Sequence, residues 1–81
     1  MFNKTEQKAL PYRMVVFNEV VKAGSFTTAA ERLGHTKSAV SSYINQLEGL
    51  LGVKLLNRST RRLHLTAAGQ QFVKRSEQLV D

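Results

Sequence analysis

Apolar positions along the chain change spacing in a way that separates helices from strands. From Tyr12, the residues Met14, Phe17, Val20 and Val21 recur at i, i+3, i+6 and i+7, one face of a 3.6-residue helix. Gly24 supplies its stop, because glycine takes the left-handed conformation at a helix end without steric cost. Phe26, Ala29, Ala30 and Leu33 form the inner stripe of a second, short helix, capped by Ser25 or Thr27 and ended by Gly34. Its adjacent alanines let another helix come close. After the turn His35-Thr36, with Thr36 or a neighbouring hydroxyl as N-cap, a third helix is predicted from about Lys37 to Leu51. There Val40, Ile44, Leu47 and Leu51 lie at steps of four, three and four.

Gly52 breaks this pattern. Val53-Lys54-Leu55-Leu56 and Arg62-Leu63-His64-Leu65 then read as two short strands around Asn57-Arg58-Ser59-Thr60-Arg61, a β-hairpin with a polar, basic tip. Thr66 caps a last helix with Ala68, Phe72 and Leu79 on its inner face. It stops at Asp81 without a glycine or proline, which predicts a longer parent chain. Residues 1–11, mostly polar and closed by the single proline, Pro11, read as a flexible lead-in. The fold class expected is mostly α: a three-helix core over 12–66 with a two-stranded wing, followed from 67 to 81 by the start of a linker helix.

The outer face of the third helix carries Ser38, Ser41, Ser42, Asn45 and Gly49. A solvated helix usually shows glutamate and lysine there. Serine and asparagine are poor helix formers, so a demand other than propensity selects them. Base edges and phosphates meet that demand.

Charge sharpens the picture. Twelve Lys/Arg stand against six Asp/Glu, a formal net charge of +6, which predicts attraction to a polyanion. Between His35 and His64 the basic residues are Lys37, Lys54, Arg58, Arg61 and Arg62, with Glu48 as the single acid. The bland alternative is a solvated surface that happens to be basic. There is no cysteine, and His35 and His64 have no carboxylates spaced to complete a metal site; both read as surface or turn residues. No cofactor is implied. Apolar runs are too short to span a membrane, and the start lacks the pattern of a signal peptide, so a cytoplasmic location is expected. No nucleophile–base pair, carboxylate pair or phosphate-binding glycine loop suggests an enzyme.

Two short helices around a glycine turn, a third helix with a polar face and a basic hairpin together make a winged helix-turn-helix. The run Gly24-Ser25-Phe26-Thr27-Thr28-Ala29-Ala30-Glu31-Arg32-Leu33 resembles the signature of LysR-type transcriptional regulators. The resemblance continues through Ser38-Ala39-Val40-Ser41, Ile44-Asn45-Gln46-Leu47-Glu48, Leu51 to Arg58, and Leu65-Thr66-Ala67-Ala68-Gly69. It covers roughly residues 12–81 without gaps. It implies an N-terminal DNA-binding domain whose linker helix pairs two subunits, normally followed by an effector-binding domain. It also implies an A/T-rich interrupted palindrome as target, a homodimer through the linker helix and a tetramer in the full-length protein.

Carried over by position, Lys37, Ser38, Ser41 and Ser42 match residues that touch bases and backbone, and Thr27 and Thr28 match positions that reach phosphate. Arg58 and Arg61 match or neighbour basic wing residues. Arg62, Thr36 and Asn45 join the expected DNA-binding set by location, Thr36 with N-capping as its rival role. For Arg58 the rival is an ion pair with Glu48 inside the fold. Tyr43 stands open between packing on the wing and placing its hydroxyl on a phosphate. Phe72 and Leu79 read as core or as dimer seam, with the seam favoured. Relatives commonly carry glutamine in place of Lys37, and many carry arginine in place of Ser42. Lysine contacts guanine or phosphate whereas glutamine pairs with adenine, so base preference at that step belongs to this chain. A protein-docking module is the competing function; it requires an exposed apolar patch on the third helix.

Overall fold

The computed structural model describes residues 4–58 and 63–80, with side chains over 11–58 and 63–75. Among them the order is α1 (Lys4–Ala23), α2 (Phe26–Leu33), α3 (Lys37–Leu51), β1 (Leu56–Asn57), β2 (His64–Leu65) and α4 (Ala67–Val80). This is a winged helix-turn-helix. α1 packs against α2, α3 and α4, and α2 braces α3.

Local chemistry accounts for the boundaries. Ser25 is the N-cap of α2, its Oγ accepting from the Thr28 N–H at 3.2 Å. Thr27 lies one residue inside the first turn. Gly34 closes α2 at φ +73°, and the next amide, of His35, donates to Ala30 O at 2.9 Å. A residue with a Cβ would be strained there. Thr36 opens α3 by accepting from the Ala39 N–H at 3.1 Å. α1 begins earlier than the periodicity from Tyr12 predicts. Residues 4–11, expected as a lead-in, are helical in backbone, with Pro11 inside the helix. The apolar repeat marks only the turns that are packed, and Pro11 forfeits one intrahelical hydrogen bond.

The core joins Val16, Phe17 and Val20 of α1 to Ala29, Ala30, Val40, Ile44, Leu47, Leu55 and Leu56. Val16, outside the predicted stripe, is fully buried, whereas Val21 is only partly so. The reason is that α1 meets helices on more than one side, so its apolar arc is wider than a single stripe.

The two strands are shorter than expected and pair antiparallel, Leu56 with Leu65 and Asn57 with His64. Residues 53–55 do not join the ladder because their backbone groups go elsewhere. The Leu55 N–H donates to the Glu48 carboxylate at 2.8 Å. Leu55 O accepts from the Thr66 N–H at 3.0 Å, and Lys54 O accepts from the Thr66 hydroxyl at 2.6 Å. Thr66 also caps α4 as predicted, accepting from the Gly69 N–H at 2.9 Å.

Thr66 thus draws α4 onto the strand segment, and Gly69 makes the approach possible. A Cβ at Gly69 would stand 2.1 Å from Leu55 O. Backbone cannot yield as a flexible side chain does. Gly69→Ala is expected to destabilise the domain by about 1–3 kcal/mol, read as a lowered melting temperature of roughly 4–8 °C per kcal/mol. An unchanged melting curve would show that α4 is not held this closely.

Candidate nucleic-acid interface

The N-terminal half of α3 presents its polar face as one shallow depression lined by Lys37, Ser38, Ser41, Ser42 and Asn45. Five of the residues expected to meet DNA are therefore brought together. Lys37, Ser38, Ser42 and Asn45 are exposed, and Ser41 is half-buried. The apolar face behind them, Val40, Ile44 and Leu47, is fully buried and fixes the rotation of the helix. Thr36 serves as the cap of α3, and Thr27 and Thr28 lie in the first turn of α2, the former exposed. Arg61 and Arg62 lie outside the described residues.

Arg58 takes the inner of its two expected roles. Its Nη1 donates to Ser41 Oγ at 2.9 Å and its Nη2 to Asn45 Oδ1 at 3.0 Å. Nη2 also stands 3.8 Å from Glu48 Oε1, and the guanidinium lies 4.7 Å from the Phe26 ring centroid. In this geometry Arg58 anchors the wing segment to α3. A planar cation with five donors clasps the wing onto the recognition helix. Its Nε is buried without a hydrogen-bond partner among the described residues.

Glu48 holds the other side of this junction. Its Oε2 accepts from the Leu55 and Leu56 amides at 2.8 and 3.1 Å. These are buried backbone donors, which must find an acceptor.

Bacterial regulatory helix-turn-helix proteins of the lysR family supply a family model that matches residues 12–70. The chain belongs to the LysR family. The transcriptional regulator CrgA of Neisseria meningitidis serogroup C is 48% identical over 67 residues, which is 83% of this chain and 22% of CrgA. The regulator TdcA of Escherichia coli K12 is 46% identical over 66 residues, 82% of this chain and 21% of TdcA. The chain thus spans about a fifth of the length of these relatives. Among solved structures, the BenM DBD–catB site 1 DNA complex matches with a TM-score of 0.83 at 33% identity, covering 86% of this chain and 78% of that one. The CbnR DBD–DNA complex matches with a TM-score of 0.82 at 34% identity, covering 86% and 80%. CrgA and TdcA are transcriptional regulators.

Within this LysR-family domain, sequence reasoning missed a second support of the recognition face. Arg13 of α1 donates from Nε to Gln46 Oε1 at 2.9 Å and also from Nη2. Gln46 Nε2 in turn donates to Ser42 Oγ at 3.1 Å. Nothing local signals this chain, because Arg13 and Gln46 meet only when α1 packs on α3. His35 is likewise more than a turn residue. Half-buried, it shares a hydrogen bond through Nε2 with the Tyr12 hydroxyl. Tyr43 packs edge-on against Tyr12, with centroids 5.4 Å apart, and against His35 at 5.4 Å. Among the described residues Tyr43 therefore packs on α1 and the turn; the wing tip lies outside them.

Phe72 sets its ring against Phe17 at 5.5 Å and also borders a surface groove with Leu51, Val53, Leu55 and Ala68. It serves the core of the domain and still offers an edge outward. The side chain of Leu79 lies outside the described residues.

Glu48→Ala is expected to cost about 2–3 kcal/mol, since it strands two buried amides and leaves Arg58 without its carboxylate. Urea unfolding measures this, and a loss below about 0.5 kcal/mol, the range of ordinary surface substitutions, would remove Glu48 from the junction.

Proposed function

We infer that this chain is the sequence-reading, DNA-binding domain of a bacterial LysR-type transcriptional regulator, with Lys37–Leu51 in the major groove. The observation that carries the reading is the polar depression of Lys37, Ser38, Ser41, Ser42 and Asn45 on a helix braced by α2. An α-helix enters the major groove of B-DNA, and the N-terminal residues of a recognition helix reach base edges there. In this reading Thr27 and Thr28 meet phosphate from α2, and the basic residues Arg61 and Arg62 meet backbone or minor groove. The net charge of +6 supports the attraction. BenM and CbnR, whose domains share this fold, were solved on DNA.

The docking-module alternative fails on its own requirement. The exposed large hydrophobic residues among those described are Tyr12 and Val53, neither of them on α3. The finer reading is a homodimer through α4, with Phe72 and Leu79 at the seam, on an A/T-rich interrupted palindrome. The relatives' greater length supports a further domain in the full protein, which the reading takes as effector-binding, with a tetramer as the full-length assembly. A cytoplasmic location fits a DNA partner, and no helix among the described residues is long and apolar enough to cross a membrane.

Selection of duplexes from a randomised pool at near-physiological salt tests this. An enriched inverted repeat is expected, with about four phosphate contacts per subunit giving a log–log salt slope near −4. A pool bound without enrichment would overturn the sequence-reading claim, and no binding at low salt would overturn DNA binding itself. Lys37→Ala is expected to weaken binding to the enriched site by roughly tenfold if the ammonium meets guanine. If the ammonium meets a phosphate instead, the loss is uniform across sequences and the salt slope falls by about one.

A further inference from the structure

The oxygens at the centre of the recognition face are already engaged, and the direction of those bonds determines what the face offers to DNA. Ser41 Oγ and Asn45 Oδ1 both accept from the Arg58 guanidinium, at 2.9 and 3.0 Å. Ser42 Oγ accepts from Gln46 Nε2 at 3.1 Å. The amide orientations follow from chemistry. A guanidinium has donors and no acceptor, so Gln46 turns its oxygen to Arg13 and its amino group to Ser42. Asn45 likewise turns its oxygen to Arg58, leaving its amino group for a ligand.

A serine hydroxyl that accepts from a protein donor has its own proton free to give elsewhere. At Ser41 the adjacent Arg58 cation weakens the remaining acceptor capacity and strengthens donation, and at Ser42 the Gln46 amide does so more weakly. Lys37, at the head of the same depression, is donor-only in any case. Serine on an open helix pairs with donors and acceptors alike, and asparagine reads adenine by using its oxygen and its amino group together. Both options are disfavoured here, because a protein donor already occupies one lone pair of each of these oxygens.

Resting on the DNA-binding reading above, we propose that Arg58 and the Arg13–Gln46 relay polarise Ser41, Ser42 and Asn45, at the centre of the recognition face, toward hydrogen-bond donation. The face reads guanine O6 and N7, thymine O4 and adenine N7. It rejects registers that set it against the amino groups of adenine N6 or cytosine N4. Arg58, Arg13 and Gln46 act as positioning residues for specificity without touching a base.

The test uses the full 81-residue chain and the duplex it selects from a randomised pool. Single base analogues are then introduced across the site. Removing the N7 acceptor with 7-deazaguanine or 7-deazaadenine is expected to weaken binding roughly tenfold at one or more positions. Deleting an amino donor, with purine for adenine or pyrimidin-2-one for cytosine, is expected to change it less than about twofold at every position. Gln46→Glu supplies the polarity control. Its carboxylate still accepts from Arg13 but now draws the Ser42 proton inward, so one selected position is expected to shift toward adenine or cytosine on the contacted strand.

A loss of about tenfold from an amino-deleted analogue, or an unchanged Gln46→Glu consensus, would overturn the proposal while leaving DNA binding intact. Failure of the unmodified chain to enrich any duplex would overturn the sequence-reading claim and this proposal with it.

Discussion

The Glu48 carboxylate is the contact on which the geometry of this domain turns. It projects from the last turns of the recognition helix and accepts the amides of Leu55 and Leu56, which the chain buries just after its turn at Gly52. Two strands of two residues each cannot satisfy those amides by pairing alone. The same segment offers its carbonyls in the other direction, Lys54 and Leu55 to Thr66. One short stretch is therefore tied through its N–H groups to α3 and through its C=O groups to α4. The wing segment thus takes its position from the recognition helix rather than from a sheet, and α4 is tied to that segment while packing on α1.

The same junction sets the electrostatics of the recognition face. Glu48 attracts Arg58 inward, and Phe26 supplies a ring for the guanidinium to lie over. Once there, the guanidinium faces Ser41 and Asn45 with hydrogens only. On the opposite flank Arg13 does the same to Gln46, beside a cluster of Tyr12, His35 and Tyr43 that packs α1 onto the start of α3. Two cations that never need to reach a base fix the chemical sense of the groups that would. Charge-assisted hydrogen bonds are the stronger kind, so these orientations are well held before any partner arrives.

Much of the frame was legible in the residue order. Thr36 and Thr66 cap their helices as their positions predict, because capping depends on a backbone only three residues away. The glycines at 24, 34 and 52 stop helices with positive φ, as glycine in those places predicts. The periodic stripe Val40, Ile44 and Leu47 is fully buried core. The polar residues opposite it gather in one depression for the same geometric reason: a helix that buries one face must present the other.

Residue order alone carries the set of helices, their caps, the two faces of the recognition helix and the family resemblance. All of these are local or periodic properties, written within one or two helical turns. Only the tertiary structure decided that Val16 belongs to the core, that residues 53–55 leave the ladder, that Gly69 must lack a side chain and that Arg58 points inward. It also decided the direction in which Ser41, Ser42 and Asn45 are hydrogen-bonded. Each of these depends on residues far apart in the chain, and a hydroxyl or amide has no fixed polarity until the partner that reaches it is known.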